Sequence, residues 1–191
     1  MVQVNGQKPN KNNKPFEKGN VLWCIIMDIR IRHALEKDLA AVVDIFNQAI
    51  QTKASTGYLY LFTVYERKEW FAGHTNKKYP LFVAEHNENI VGWISVDPYR
   101  KGRKAFEKTG ELSFFIHNDF KRKGIGNQLL RAMMNTAKEL GYTTLVAIVL
   151  DTNIGSIQLL EKNSFEQWGF LPGVADIDGK ILGHVYYGKK V

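Results

Sequence analysis

The segment from Phe120 to Leu130, FKRKGIGNQLL, combines three adjacent cations with two glycines spaced one residue apart. The residues that follow the glycines have apolar positions at helical spacing, so the glycines lie at the start of a predicted helix. Free backbone N–H groups and aligned peptide dipoles at a helix start favour an anion. Lys121, Arg122 and Lys123 add positive charge around it. The segment therefore predicts a phosphate or pyrophosphate site, while an ordinary basic turn remains the other interpretation of the same residues.

The glycine spacing separates this segment from the common nucleotide-binding motifs. The chain contains no GxxxxGK[ST] sequence, and Gly124 and Gly126 do not form a GxGxxG motif after a first strand. These two motifs hold ATP in P-loop proteins and NAD in Rossmann proteins. Neither of those binding modes is therefore predicted.

The elements that must position this segment alternate along the chain. A first strand is predicted over residues 27–34, followed by an amphipathic helix with apolar residues at Leu39, Val42, Val43, Phe46 and Ile50. A capping box of Thr and Glu three residues apart, at 63 and 66, predicts a second, short helix. Two apolar runs, LFVAE and IVGWISV, are joined by a polar turn and predict a hairpin.

The second half of the chain continues this alternation. GELSFFIH is predicted to be a strand, residues 124–141 a helix, and TTLVAIVL a strand buried on both faces. Residues 153–162 have helical spacing, and two strands close the chain. This order predicts an α/β fold with a mixed, mostly antiparallel central sheet flanked by helices.

Composition favours one folded domain and a separate first segment. The chain has 191 residues, of which 45% are hydrophobic, so one core and one domain over residues 27–191 are expected. Residues 1–26 are rich in Asn, Lys, Gly and Pro and are predicted to be a disordered extension. The apolar run Val21–Met27 is too short to span a bilayer. A single cysteine, Cys24, cannot form an internal disulfide and favours the cytoplasm.

The positive charge does not indicate a nucleic-acid-binding protein. Four lysines and one glutamate in the first 26 residues account for +3 of the net charge of +7, which leaves +4 for the domain. The basic clusters at residues 100–104 and 121–123 are short, and no helix has a continuous basic face. A small anionic ligand explains these clusters, and no nucleic-acid or membrane partner is expected.

The chain resembles the GCN5-related N-acetyltransferase (GNAT) family. FKRKGIGNQLL is similar to the family's pyrophosphate-binding motif, Q/R-x-x-G-x-G/A, and the predicted element order is that of the family. EWFAGH, YPLFVAE, GWISV, GRKAF ahead of GELSFFI, and WGFLPGVADIDGK resemble the branch of phosphinothricin and methionine sulfoximine acetyltransferases. The resemblance covers the chain from Met27 to its end.

The resemblance implies acetyl-CoA as the co-substrate and assigns residues to it. The backbone of Phe114, Phe115 and Ile116 would hold the pantetheine arm and the thioester carbonyl. The pyrophosphate would lie on the segment Lys121, Arg122, Lys123, Gly124, Ile125 and Gly126. Asn153 would contact the cofactor with Ser156 beside it, although Asn and Ser are also favoured as helix N-caps.

The resemblance also implies the residues that act on the acceptor. Glu111 matches the catalytic carboxylate of the branch and would act as general base, directly or through a water; an exposed, solvated glutamate is the alternative. Arg103 matches a position near the acceptor and could bind a carboxylate as a fork; otherwise it is a surface charge. Phe62 belongs to a group of aromatic residues in the loop that would cover the acceptor, where core or dimer packing is the alternative to substrate contact.

Three residues depart from the family pattern. Lys121 replaces the usual Gln or Arg, and its point charge still suits a phosphate. Leu160 replaces the Tyr or His found beside the departing thiolate, so that position cannot donate a proton. Ser164 replaces the usual glycine before Phe165, and the sequence gives no reason for this change.

Histidine and cysteine do not form a metal motif in this sequence. The five histidines lack metal-ligand spacing, and the cysteine lies outside the predicted domain. No metal is therefore predicted. His117, just beyond the GELSFFI strand, could assist proton transfer, although an exposed strand-end histidine is the favoured interpretation.

Together these features predict an N-acetyltransferase that moves acetyl from acetyl-CoA to the amine of a small amino-acid-like acceptor, of the phosphinothricin or methionine sulfoximine type. A polyamine, an antibiotic or a protein N-terminus are alternative acceptors. An acetyl-CoA-binding sensor without turnover is the alternative from another functional class, because Leu160 cannot act as an acid. A homodimer is expected.

Overall fold

The computed structural model describes residues 27–74 and 77–191. The extension predicted to be disordered, residues 1–26, lies outside the described residues, so that prediction and the domain boundary at residue 27 remain predictions. None of the helices in the described ranges is long and apolar enough to cross a membrane.

The described residues form seven strands and four α-helices. The strands are β1 (Arg30–His33), β2 (Leu81–His86), β3 (Asn89–Pro98), β4 (Thr109–Ile116), β5 (Thr144–Leu150), β6 (Glu166–Ile177) and β7 (Lys180–Lys190). The helices are α1 (Leu39–Gln51), α2 (Val64–Ala72), α3 (Ile125–Glu139) and α4 (Ile154–Lys162). Short 3₁₀ helices lie at Glu36–Asp38, Lys104–Phe106 and Asn118–Phe120.

The strands form one sheet in the order β1-β2-β3-β4-β5-β7-β6. Every neighbouring pair is antiparallel except β4 and β5, which are parallel. The fold is therefore a mixed, mostly antiparallel sheet flanked by helices, and the predicted fold class is confirmed. A parallel pair needs a crossover connection, and α3 supplies it between β4 and β5.

One face of the sheet packs against α3. The helix buries one stripe of side chains, Ile125, Leu129, Leu130, Met133 and Ala137. These join apolar residues of β2 to β5 and β7 in the larger core cluster. Burying this stripe fixes α3 on the sheet, and its N-terminus consequently lies where β4 ends.

The opposite face packs against α1 and α2. The apolar positions predicted for α1 are all buried, and Val42, Phe46 and Ile50 form a second cluster with Trp93 of β3. The predicted capping box of α2 is present: the Thr63 hydroxyl accepts from the Glu66 N–H at 3.3 Å, and the Glu66 carboxylate accepts from the Thr63 N–H at 2.7 Å. None of the residues of α2 is fully buried. Helix α2 therefore lies at the edge of this core.

The turn after α4 shows the backbone conformation of the serine that departs from the family pattern. Ser164 follows the helix with a φ of 61°, in the left-handed region that glycine adopts most easily. Its backbone N–H donates to the Glu161 carbonyl at 2.9 Å. The turn therefore keeps the conformation that a glycine would give, at some cost in backbone strain.

A charged cluster anchors β1 to the rest of the sheet. Arg32 donates to Asp38 Oδ2 at 2.6 Å and to Glu85 Oε2 at 2.7 Å, and the Asp38 side chain is 4% exposed. Burial alone would raise the pKa of Asp38, but hydrogen bonds from Arg32 and the Leu35 N–H hold it below its ordinary value. The buried carboxylate therefore depends on Arg32.

Replacing Arg32 should destabilise the fold in a pH-dependent way. Arg32→Met leaves the buried Asp38 without its cation, so the free energy of unfolding should fall by about 3 kcal/mol at neutral pH. Because the folded-state pKa of Asp38 is lowered, its contribution is present above the ordinary pKa and is lost as the pH falls. Urea unfolding at several pH values should therefore give a difference that shrinks toward acid.

The matched control is Arg30→Met, which removes an exposed cation from the same strand. An equal loss of stability in both variants would contradict the role assigned to the Arg32 cluster.

Candidate active site

Strands β4 and β5 separate halfway along their length. They pair only from Thr109 with Thr144 to Leu112 with Ala147, whereas β3 remains paired with β4 as far as Ile116. The backbone of residues 113–116 therefore faces an opening on the β5 side. Polar backbone groups that lose a strand partner need another one.

The predicted cofactor residues of β4 line this opening through their backbone. The Phe114 and Ile116 side chains pack toward the α3 core, and Phe115 packs toward α1, where its ring lies 4.9 Å from that of Phe46. Because the side chains are engaged in the two cores, the N–H and C=O groups are what this segment can offer. That arrangement fits an extended amide chain such as pantetheine.

The predicted anion segment lies at the start of α3. Gly124 is the N-cap in a left-handed conformation with φ of 81°, and no side chain among the described residues caps this end of the helix. The first N–H groups of the helix therefore remain available. Lys121, Arg122 and Lys123 are exposed around it, and Arg122 also has positive φ, at 62°. This loop fits a pyrophosphate.

The two glycines of the segment have different roles. A Cβ on Gly124 would meet no atom within 4 Å, so the backbone conformation is what requires glycine there. A Cβ on Gly126 would lie 2.8 Å from Leu159 Cδ2 of α4. Gly126 therefore permits the close approach of α3 and α4, a reason that the sequence did not reveal. Ile125 is buried in the core and offers only its backbone N–H.

Asn153 caps α4, as one of its two interpretations predicted. Its Oδ1 accepts from the Ser156 N–H at 3.2 Å. This bond uses the amide oxygen, so the amide N–H₂ group is still able to donate to a ligand. Leu160, further along α4, is fully buried in the larger core. The position of the missing acid is therefore filled by packing.

Glu111 lies on β4 just before the opening, on the face that carries α1 and α2. It pairs across the sheet with Asp97 of β3. Burial raises the pKa of Glu111, the charge of Asp97 raises it further, and Arg100 partly offsets both. A partly buried carboxylate with a raised pKa, beside the gap between β4 and β5, is a stronger base than an exposed glutamate.

Asp97 has three polar neighbours that the sequence analysis did not identify. The Ser95 hydroxyl donates to Asp97 Oδ2 at 3.0 Å, and the Trp70 indole N–H donates to Oδ1 at 3.4 Å. His74 Nε2 lies 3.4 Å from the same oxygen. The signal available in the sequence was the period of β3, which puts Trp93, Ser95 and Asp97 on one face.

Arg67 of α2 is a second residue that the sequence analysis missed. Its guanidinium lies over the Trp70 ring at 4.0 Å and near the Phe46 and Phe62 rings at 5.1 and 5.2 Å. Among the described residues, it forms no ion pair with a carboxylate. Burial lowers the pKa of Arg67, and the nearby Tyr58 and Asp97 partly offset this effect.

Phe62 is brought to the site, where the Tyr58 ring lies 5.0 Å from its own ring, whereas Tyr60 and Tyr65 point away. Its ring stacks on Phe46 at 5.8 Å, and Asn47 brackets its backbone, donating to the Phe62 carbonyl at 2.8 Å and accepting from its N–H at 2.9 Å. Tyr60 and Tyr65 are 84% and 81% exposed. The aromatic loop thus contributes both a wall of the site and an exposed apolar surface.

The Arg103 side chain forms no ion pair with these groups among the described residues. It is exposed at the start of a short 3₁₀ helix, without a side-chain hydrogen bond at that cap. The arginine whose charge reaches Glu111 is Arg100, three residues earlier. His117 is also separate from Glu111, because its Nδ1 accepts from the Asp119 N–H at 3.3 Å beyond the end of β4.

The described residues contain no group of three or more His, Cys, Asp or Glu side chains arranged to hold a metal ion. The site is therefore built from backbone groups, one carboxylate pair and an arginine among aromatic rings. An extended amide chain and a diphosphate fit its open side, and an amine fits beside its carboxylates.

Comparison with known proteins agrees with this geometry. Residues 45–165 match the model of the acetyltransferase (GNAT) family. A Bacillus subtilis protein named "Putative phosphinothricin acetyltransferase YwnH" is 40% identical over 151 residues, which cover 78% of this chain and 91% of that protein. The Escherichia coli L-amino acid N-acyltransferase MnaT is 30% identical over 152 residues, covering 80% of this chain and 88% of MnaT.

Solved structures give the same relationship. Salmonella typhimurium yncA, whose structure contains its cofactor acetyl-CoA, has a TM-score of 0.81 and 26% identity, covering 85% of this chain and 93% of that chain. A ribosomal-protein-alanine N-acetyltransferase from Brucella melitensis has a TM-score of 0.81 and 30% identity, covering 85% and 99% of the two chains.

The cofactor is acetyl-CoA. The relatives indicate it, and the opening between β4 and β5 and the uncapped start of α3 fit it. Within the GNAT family, the chain resembles the branch of phosphinothricin and methionine sulfoximine acetyltransferases. It belongs to the GNAT family and is an acetyl-CoA-dependent N-acetyltransferase.

Proposed function

We propose that this enzyme transfers acetyl from acetyl-CoA directly to the α-amine of a small amino-acid-like acceptor, with Glu111 as general base. The observation that carries the proposal is the position of Glu111, beside the β4–β5 opening and on the face that also holds Arg67. Relatives named as phosphinothricin, methionine sulfoximine and L-amino acid acyltransferases support this acceptor class.

The cofactor assignment uses the residues that line the opening. The backbone of Phe114 to Ile116 binds the pantetheine arm, and the free N–H groups at the start of α3 bind the pyrophosphate, with Lys121 to Lys123 around it. Asn153 donates its amide N–H₂, and Ser156 lies beside it. Acetyl-CoA supplies the thioester carbon that the amine attacks.

Glu111 supplies the base that an amine substrate requires. An acceptor ammonium group must lose a proton before its nitrogen can attack, and Glu111 takes that proton directly or through a water. Since burial and Asp97 raise the pKa of Glu111, its carboxylate is a stronger base than an ordinary glutamate. Leu160 cannot protonate the departing sulfur, so the proton comes from water or another side chain, or coenzyme A leaves as a thiolate. The pKa of about 8.5 of an ordinary thiol makes unassisted departure feasible.

The acceptor's carboxylate needs a cation, and Arg67 is the candidate that the structure favours. Its guanidinium is held by three aromatic rings and forms no ion pair with a described carboxylate, so its N–H donors can serve a ligand. Arg103, an exposed residue, is the second candidate, from the family resemblance. With Phe62 as an apolar wall, Arg67 and Glu111 would bind the two ends of an amino acid.

A protein N-terminus is the second candidate acceptor. The ribosomal-protein-alanine N-acetyltransferase among the structural neighbours favours it, as do the exposed apolar residues of the loop before α2, such as Tyr60 and Leu61.

The exposed apolar residues of that loop, with Trp168 and Phe170 of β6, support a homodimer as part of the proposal. We also propose a cytoplasmic location, from the absence of an internal disulfide in a chain with one cysteine.

The direct test is a panel of amines scored by release of free coenzyme A. The panel contains methionine sulfoximine, phosphinothricin, ordinary amino acids, a polyamine and a peptide with an alanine N-terminus. Turnover with the amino acids supports the proposal. Turnover restricted to the peptide or the polyamine contradicts the acceptor class, and acetyl-CoA binding without any turnover contradicts the enzymatic function.

Replacing Gly124 should weaken cofactor binding. Gly124→Val forces a β-branched residue into a left-handed conformation and alters the backbone that holds the pyrophosphate. The affinity for acetyl-CoA, measured by calorimetry, should fall by about tenfold or more, since strain of this kind is worth 1–3 kcal/mol. The control is Gly141→Val, at the other end of α3, where φ is also positive at 84°. Equal affinities in both variants would contradict the assignment of this loop.

Replacing Glu111 should remove the base and leave cofactor binding intact. Glu111→Gln should lower the rate of acetyl transfer by about 10² to 10⁴. Wild-type activity should fall as the pH drops through a value above the ordinary pKa of 4.5, because Glu111 must be ionised, and this limb should vanish in the variant. Stopped-flow assays across pH measure both effects. Near-normal turnover of Glu111→Gln would mean that another group is the base. The control is Glu107→Gln, which removes an exposed carboxylate.

Replacing Arg67 should change selectivity between an amino acid and its amide. In Arg67→Met, kcat/KM for the amino acid should fall by about tenfold to a hundredfold, the worth of a charged hydrogen bond. The value for the corresponding amide, which has no carboxylate, should change much less. Arg103→Met in the same assay tests the second candidate, and Arg131→Met, an exposed residue of α3, is the control. An equal fall for acid and amide would mean that Arg67 only supports the fold.

A further inference from the structure

The acceptor site contains two carboxylates, of which the proposed function uses one. Asp97 of β3 and Glu111 of β4 are register partners in an antiparallel pair. Side chains directly opposite each other in such a pair have Cβ atoms about 5 Å apart and lie on the same face. Two carboxylates so close and partly buried repel each other, so their charges must be stabilised or separated by protonation.

Asp97 is the carboxylate that the structure stabilises in its charged form. Ser95, Trp70 and His74 place a hydroxyl at 3.0 Å, an indole N–H at 3.4 Å and an imidazole nitrogen at 3.4 Å from its oxygens. Burial alone would raise the pKa of Asp97. The hydrogen bond and the charge of His74, together with the hydrogen bonds from Ser95 and Trp70, hold that pKa below its ordinary value. Glu111 has no such donors among its described contacts.

The His74 ring lies between two hydrogen-bond acceptors. Its side chain is 4% exposed; Nδ1 lies 2.8 Å from the Trp70 carbonyl oxygen, and Nε2 lies 3.4 Å from Asp97. A protonated imidazole can donate to both of them, and its charge lowers the pKa of Asp97. Trp70 therefore supports Asp97 twice, through its own N–H and through its carbonyl contact with His74.

Other charged groups around the pair come from several elements. The charge of Asp97 partly offsets the effect of burial on the pKa of Arg67 in α2, and Arg100, in the loop after β3, lowers the pKa of Glu111. Burial raises the pKa of Tyr142, before β5, and Tyr79 and Asp97 raise it further. Arg67 lies among aromatic rings and Arg100 over the Tyr99 ring at 5.7 Å. None of these groups forms an ion pair with Glu111 among the described residues.

We propose that Asp97 is the ammonium-binding carboxylate of the acceptor site: fixed by Ser95, Trp70 and His74, it holds the acceptor nitrogen against Glu111. The inference rests on the proposed function. The ammonium group gives one proton to Glu111, which becomes a neutral acid, and the freed lone pair of nitrogen attacks the acetyl carbon. As the C–N bond forms, the C–S bond breaks, coenzyme A leaves as a thiolate, and the second excess proton on nitrogen passes to that thiolate. Asp97 stays charged throughout this step and stabilises the positive charge that develops on nitrogen during attack.

The two carboxylates then have separate roles that one carboxylate could not combine. Once Glu111 has been protonated, it no longer attracts the positive charge on the acceptor nitrogen. Asp97 keeps its negative charge and still attracts it. Its charge also increases the proton affinity of Glu111, and burial acts in the same direction. Pairs of carboxylates whose surroundings separate their pKa values recur where one holds charge and the other exchanges a proton. Ser95, Trp70 and His74 are positioning residues in this scheme.

The test is Asp97→Asn, which keeps the shape and removes the charge. Because a charge pair at about 4 Å near a surface is worth more than a factor of ten, KM for the acceptor amine should rise by about tenfold or more. The acidic limb of kcat/KM should move to lower pH, since Glu111 loses a neighbouring negative charge. A carbon-13 titration of Glu111 without acceptor, assigned with Glu111→Gln, should give the same downward shift.

Loss of the Asp97 charge moves the Glu111 titration whether or not Asp97 binds the acceptor, so that titration shows only that the charge has been removed. KM for the amine is the deciding measurement, and an unchanged KM would overturn the inference. Asp44→Asn, which removes an exposed carboxylate from α1, is the control and should leave both unchanged. If Asp97→Asn does not fold, Trp70→Phe keeps the ring and removes one donor to Asp97. That variant should raise KM selectively at acidic pH, where Asp97 would become protonated, and an unchanged KM there also overturns the inference. Turnover of no amine at all would instead refute the proposed function.

Discussion

The separation of β4 from β5 is the constraint on which the rest of the site depends. Four residues of β4 pair with β5, and the next four pair only with β3. Backbone N–H and C=O groups cannot be left unpaired away from water without a cost of a few kcal/mol each. In the proposed complex, an extended ligand with amide groups would satisfy them, so the same divergence that weakens the sheet would form the cofactor site. The crossover helix α3 starts beside this gap and adds its own free N–H groups.

The two faces of the sheet have different roles. The face that packs against α3 stabilises the fold, and the opposite face carries the polar groups of the proposed site. The α3 face is filled with apolar side chains and carries the larger core. On the other face, the period of two along β3 and β4 aligns Trp93, Ser95 and Asp97 with Phe115 and Glu111. Helix α2 covers this row only partly, since none of its residues is fully buried. Polar groups at the edge of a core can keep access to a ligand while losing much of their water.

At the proposed acceptor site, each charged group has a different environment. Aromatic rings hold Arg67 and leave it without a described carboxylate partner. Donors from β3 and α2 keep Asp97 ionised, and Glu111 is left with burial and a like charge. These differences come from packing rather than from residue type, because Asp and Glu have nearly the same pKa in water. The site is thus a set of similar groups made different by their neighbours.

The sequence by itself determined the order of elements, the caps, the glycine segment and the family, because these depend on local spacing. The period of α1, the Thr63 capping box and Gly124 at the start of α3 could be predicted from neighbours in the chain. The roles of Arg67, His74 and Asp97 could not, since they lie 7 to 30 residues apart and meet only when α2 packs on β3. The tertiary structure also decided that Gly126 serves helix packing, because that contact with Leu159 joins two helices distant in the chain.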